Sequence, residues 1–204
     1  MAWVNGAVDS TSIYIPRKSE MYVFDIATET WTTRKDTIPN GNVQTGAAVF
    51  DGSGKIWYEG PSSLVEYDPG TEKYTEHKHD KFDVFETRVA YDPWSNSVLV
   101  SGYENDRFLI YAIDTGKFTE SSVSPGGDIR DNTCGDNSGG VYTGSGDFNH
   151  MYRYDVATDT WDVLPDLPEQ HDNDSTCVVS QDGWLYYPTT YGGFYRLPLG
   201  TIGK

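Results

Sequence analysis

The sequence is short of several things, and each shortage excludes a class of protein. Basic residues number 15 among 204, against 31 acidic ones, so the net charge is −16. Nucleic acid is excluded as a partner, because phosphate backbones are held by clustered Lys and Arg. An anionic membrane surface is disfavoured for the same reason. No run of 18 apolar residues occurs, so no membrane span is expected. Met1 leads straight into patterned sequence without a basic-then-apolar leader. Either the chain acts where it is made or it is a processed piece, and both the cytoplasm and a virion or cell surface fit. There is no G-x-S-x-G elbow, no glycine loop shaped for phosphate before a helix, and no Cys with a His set beside it. No cofactor is expected.

Apolar residues make up only 37% of the chain, yet aromatics are 14%. A core must therefore be built largely from Trp, Tyr and Phe, each worth roughly 1.5–3 kcal/mol when fully buried. Those aromatics are not scattered. The stretch Met151 to Trp161, MYRYDVATDTW, returns as MYVFDIATETW from Met21, LVEYDPGTEKY from Leu64 and LIYAIDTGKF from Leu109. One aromatic column is Phe24, Tyr67, Tyr111 and Tyr154, at steps of 43, 44 and 43 residues. A threonine column (Thr28, Thr71, Thr115, Thr158) and a second aromatic column (Trp31, Tyr74, Phe118, Trp161) keep the same steps. Three positions holding one period mark a repeat protein.

Each period reads as four short strands joined by turns. Asp51-Gly52-Ser53-Gly54, Asp92 to Asn96, Asp136 to Gly139 and Gln181-Asp182-Gly183 have hairpin composition. Five repeats are expected, at about 1–34, 45–77, 87–121, 131–164 and 174–200, in a single domain. A four-stranded antiparallel meander repeated radially is a β-propeller, so the expected fold is all-β with five blades. One period beyond Trp161 falls on Lys204, which leaves the last blade three-stranded. Its open edge offers a route to homo-oligomers, guarded by Pro198.

The pattern resembles kelch-type repeats over essentially the whole chain. An apolar strand ends in glycine, an aromatic-Asp strand follows (Phe24-Asp25, Tyr67-Asp68, Tyr154-Asp155), then a Thr turn and Trp. The third repeat departs with Tyr111-Ala112. Single glycines (Gly60, Gly102, Gly144) stand where kelch repeats carry a pair. The resemblance implies that one face collects the loops between strands two and three and those leaving strand four. Binding residues concentrate on such loops. On these loops Tyr103, Phe148 and Tyr191 are the expected aromatic contacts, with Arg107, Arg130 and His150 as polar partners. Packing of the same aromatics between blades is the competing expectation.

Other constellations carry less. His77 and His79 flank Lys78 and precede Asp80, but spacing fixes no third ligand; the other histidines are His150 and His171. Asp172-Asn173-Asp174 and Asp128 to Asp131 offer oxygens for calcium without the twelve-residue loop spacing. No metal site is expected. Cys134 and Cys177 lie on first strands of adjacent repeats, aligned with Val49 and Ala48. That odd offset aims both sulfurs at the shared gap between blades. A disulfide there requires Cα atoms within about 7 Å, and two buried free thiols are the default expectation.

The functional expectation is a non-enzymatic propeller that holds a protein or glycan partner with the loops of one face. Two alternatives stand beside it. Aspartate-rich, lysine-poor composition (21 Asp, 8 Lys) resembles that of proteins from salt-loving systems, which fits a virion or cell-surface attachment protein. Asp131 and Asp174, beside Arg130 and Arg88, would be the carboxylates of a glycoside hydrolase if they stand about 5–9 Å apart.

Overall fold

The computed structural model describes residues 6–17, 19–35, 47–60, 62–80, 88–104, 106–129, 133–136, 138–147, 149–169, 176–189 and 193–199. Two compact units divide the chain, Met1–Val89 and Ala90–Lys204. The first holds two antiparallel sheets: β1 (Ala7–Val8), β2 (Ser12–Arg17), β3 (Glu20–Asp25) and β4 (Thr30–Arg34), then β5 (Ala48–Phe50), β6 (Ile56–Gly60), β7 (Ser63–Asp68) and β8 (Lys73–Lys78). Three sheets follow. The third begins with β9 (Arg88–Asp92), which contains the division, and continues with β10 (Ser97–Glu104), β11 (Arg107–Ala112) and β12 (Lys117–Glu120). The fourth has β13 (Cys134–Gly135), β14 (Gly140–Gly144), β15 (Met151–Asp155) and β16 (Thr160–Val163). The fifth has β17 (Val178–Val179), β18 (Trp184–Pro188) and β19 (Phe194–Pro198). Within every sheet the strands lie in chain order. Four blades of four strands and a last of three make this a five-bladed β-propeller by fold class, as the sequence leads one to expect.

Burial follows strand position. Every residue of β6 and of β14 is buried, so these strands are covered on both faces. The fourth strands β4, β8, β12 and β16 are mostly exposed or half-buried and carry the polar sequence. In the first unit Met21, Val23, Ile56, Tyr58, Val65 and Tyr67 form one core cluster. In the second, Phe108, Ile129, Val141, Tyr152 and Tyr154 form another.

The recurring stretch is a β3–β4-type hairpin, and in blades one and four an aspartate braces its turn in the same way. Asp25 accepts hydrogen bonds from the backbone N–H of Thr28 (2.8 Å) and from its hydroxyl (2.9 Å). Asp155 does the same for Thr158, at 3.0 and 2.9 Å. The next residue takes a left-handed backbone: Glu29 at φ 54°, Glu72 at 57° and Asp159 at 52°. In the third blade Ala112 has no carboxylate to brace the turn, and a glycine, Gly116, occupies the left-handed position at φ 65°. There the turn closes through the backbone alone, with the N–H groups of Thr115 and Gly116 donating to the Ala112 carbonyl. The departure at Tyr111-Ala112 is thus a compensated one.

Register places the two aromatic columns opposite each other: Phe24 faces Trp31, Tyr67 faces Tyr74, Tyr111 faces Phe118 and Tyr154 faces Trp161. Ring centroids lie 5.0 Å apart in the first of these pairs, 4.8 Å in the third and 4.8 Å in the fourth. Trp161 also stacks on Phe108 of the preceding sheet at 5.3 Å and donates from Nε1 to the Ser122 carbonyl at 3.1 Å.

The default expectation for the cysteines is corrected. Cys134 and Cys177 are joined by a disulfide, with Cα atoms 5.5 Å apart. Pairing confirms the offset, because Cys134 opposes Tyr142 while Val178, one residue beyond Cys177, opposes Tyr186. The first strands of blades four and five run close enough for this odd offset to be bridged. The Thr176 hydroxyl reinforces the junction by donating to the Thr133 carbonyl at 2.8 Å.

Candidate functional site

Each sheet has two ends: one bears the loops after its second and fourth strands, the other the tight hairpins. The sequence points to the loop end. There Arg107 opens β11 and His150 precedes β15, at equivalent places in their blades. Arg107 is held by Asp106 (2.8 Å) and Glu120 (3.3 Å). His150 lies between Asp147, 3.3 Å from Nε2, and Asp166, 3.0 Å from Nδ1. Both expected polar partners are therefore engaged within their own blades. Tyr103 lies in β10 by its backbone, with its side chain outside the described residues. Arg130, Phe148 and Tyr191 lie outside them altogether, as do His171, Asp131 and Asp172 to Asp174. Arg88 is buried at the start of β9.

The histidine pair is divided between different neighbours. His77 meets Glu66 at 3.1 Å and stacks on Trp57 at 5.3 Å, while His79 pairs with Asp80 at 3.3 Å. Among the described residues no three His, Cys, Asp or Glu side chains gather as metal ligands.

The hairpin end of the second unit holds what spacing alone does not single out. A pocket of about 580 Å³ lies between blades four and five, around Arg153. Arg153 projects from the middle of β15 with Nε 3.9 Å from Asp136, and Nη1 3.5 Å from both Asp155 and Asp162. Asp136 is fixed from behind, its Oδ1 accepting from the backbone N–H of Ser138 (2.7 Å) and Gly140 (2.9 Å). Tyr142 donates to its other oxygen at 3.3 Å. Gly140 leaves room for this cluster, since a Cβ there would stand 2.7 Å from Arg153 Nε and closer still to Asp136, displacing both side chains. Ser180, Gln181 and Gly183 form the opposite wall.

The electrostatics are those of a partly desolvated cluster in which three carboxylates outnumber one guanidinium. Burial pushes the Tyr142 hydroxyl up to about 12, helped by the nearby Asp136 charge. Burial works against the Arg153 charge, but Tyr142 and Asp136 outweigh it and raise the guanidinium above its ordinary value. For Asp155, burial is offset by bonds from Thr158 and by Arg153, which leave its carboxyl below the usual range. Arg153 is thus a permanent cation whose contacts are long. An incoming hydroxyl or carbonyl oxygen can compete for it.

Sequence reasoning also passes over Trp94. This tryptophan sits off both aromatic columns, inside the Asp92 to Asn96 turn, and is 76% exposed. A large aromatic in a hairpin turn, outside the repeat's core positions, is the signal that would have found it.

No family model matches the chain, and no curated protein does. Solved structures do: 768 chains match, so the architecture is a widely used scaffold. One is a crystal structure described as the extracellular domain of a one-component system from B. thetaiotaomicron. It superposes with a TM-score of 0.67 at 14% identity, over 95% of this chain. The present chain spans 27% of that protein's length. At such identity the likeness is one of fold.

Proposed function

We propose that this chain is a non-catalytic binding domain that holds a polar partner, a protein or a glycan, in the pocket around Arg153. The pocket itself carries this reading. Its volume falls within the range of ordinary ligand sites, and its walls present a guanidinium, carboxylates, hydroxyls and an amide beside the apolar Val179 and Leu199. The structural neighbour's description as an extracellular domain of a one-component system supports a role in recognition. The loop-end set of Tyr103, Arg107, Arg130, Phe148, His150 and Tyr191 is proposed as a second contact surface. The kelch-type relationship rests on the aromatic-Asp and Thr-turn motifs. The attachment-protein reading rests on acidic composition, and association of copies on the open edge of β19.

A glycan array, an aryl-glycoside turnover assay and a size measurement in molar salt test these readings together. Binding without turnover, reduced at least several-fold in Arg153→Met, is the expected result. Turnover of a glycoside overturns the proposal in favour of the hydrolase. A defined ring of subunits favours the attachment protein.

A further inference from the structure

Beside the Arg153 pocket lies a second hollow of about 300 Å³. One wall is the β9–β10 turn with Asp92, Trp94 and Ser95; the other is blade four's turns, with Ser138, Gly139 and Asp155. The two cavities are contiguous in their walls. Ser138 lines both, and Asp155, which lines the second, stands 3.5 Å from the guanidinium of the first. Trp94 is presented by a braced turn. Asp92, itself buried, accepts from the backbone N–H of Trp94 (3.1 Å), from that of Ser95 (3.0 Å) and from the Ser95 hydroxyl (2.6 Å). The backbone that carries the indole is therefore held at a fixed place rather than on a loose loop.

From this arrangement we infer that the partner is a neutral oligosaccharide, laid along the hairpin end of blades three to five with one ring stacked on Trp94. The inference rests on the reading of the Arg153 pocket as a binding site. A sugar ring has an apolar C–H face and a rim of hydroxyls, each both donor and acceptor. The electron-rich face of indole meets the first. The second needs donors and acceptors in alternation, which the carboxylates, Ser138, Gln181 and Arg153 supply. Charge selects among sugars. Asp136, Asp155 and Asp162 surround a single guanidinium, and the whole chain carries −16. Uronic acids, sulfated sugars and phosphates are repelled from such a site. Neutral hydroxyls are not.

Native gels cast with one soluble polysaccharide each (xylan, mannan, mixed-linkage glucan, galactan, and polygalacturonate as the acidic control) provide the test. Calorimetry with oligosaccharides cut from the retarding polymer then gives affinities. At least one neutral polymer should retard the protein and polygalacturonate should not. Trp94→Ala should weaken binding about tenfold or more, as loss of a central aromatic anchor does, and Trp94→Phe should recover part of it. The melting temperature should change little, because Trp94 is 76% exposed. Gln181→Ala, on the exposed wall of the Arg153 pocket, should weaken binding as well. Full affinity in Trp94→Ala with reduced affinity in Gln181→Ala overturns the stacking platform and leaves the Arg153 reading intact. Loss of glycan binding only in Arg107→Ala overturns both. Retardation by polygalacturonate alone, or by no neutral polymer, overturns the assignment to neutral oligosaccharides.

Discussion

Trp31 and Trp161 occupy the same column of the repeat and the same register, yet they are not equivalent residues. Trp31 is 57% exposed and leans on Phe24 across its own hairpin. Trp161 is half-buried because Phe108 of the preceding sheet lies flat against it and the Ser122 carbonyl takes its N–H. Trp161→Ala should therefore cost about 2–4 kcal/mol, somewhat below or within the range for a fully buried tryptophan. Trp31→Ala should cost about 1 kcal/mol or less, the scale of a single cross-strand pair. Urea denaturation of the two variants reads the difference directly, and equal losses would show that the neighbouring sheet adds nothing. The column itself is legible in the sequence, since period and residue type are local facts. The inequality is not, because it is set by a side chain over fifty residues away.

At the scale of the hairpin, the left-handed position after the turn threonine is filled by Glu29, Glu72 and Asp159 but by Gly116 in the third blade. A side chain there is strained, and glycine relieves it. Glu29→Gly should raise stability by about 0.5–1 kcal/mol, since Glu29 is exposed and its turn is braced by Asp25 instead. Asp159→Gly should bring no such gain. Asp159 accepts a bond from the Ser122 N–H at 2.7 Å, which ties its turn to the blade before it, and another from the Tyr154 hydroxyl of its own hairpin at 2.7 Å. Thermal melts of the two variants check the contrast.

Strand order and turns are read from the sequence because alternation and Asp-Gly punctuation are short-range signals. The limits of the inner strands are less legible: β13 is Cys134–Gly135 and β17 is Val178–Val179, two residues each. Their ends are decided by neighbouring blades rather than by their own residues. The disulfide is hidden for a similar reason: alignment gives the offset of the two cysteines, while the spacing of adjacent first strands comes only from the fold. The hairpin-end pocket is hidden because Asp136, Arg153 and Gln181 are ordinary turn and strand residues until blades four and five stand side by side.

Across the whole molecule, the turn aspartates and the buried strand tyrosines make stability depend on pH at both extremes. Asp25, Asp155 and Asp159 are held below the usual carboxylate value, and Asp68 falls to about 2, chiefly through its bond with the Lys55 ammonium. A carboxyl lowered on folding stabilises the native state above about 3.8, its ordinary value, and loses that contribution as pH falls through its folded value. Tyr142 and Tyr187 are raised by burial to about 12, and Tyr58 and Tyr154 are raised in the same direction. Their contribution is complete below pH 10 and fades as the pH climbs toward 12. The melting temperature should therefore be flat through neutrality, drop between about pH 4 and 2, and drop again above about pH 10. A scanning-calorimetry series across pH checks both edges, and a single acid-side edge would contradict the tyrosine burial.

Repeat architectures come apart from their weakest terminal unit, which peels away while its neighbours hold. Here the sheet with fewest strands is stitched through its innermost strand to the unit before it, 43 residues back. Fraying of β18 and β19 therefore leaves the start of blade five tethered to blade four. The bridge turns what would be the first piece to unravel into a passenger of its better-packed neighbour, for as long as the surroundings keep those two sulfurs oxidised.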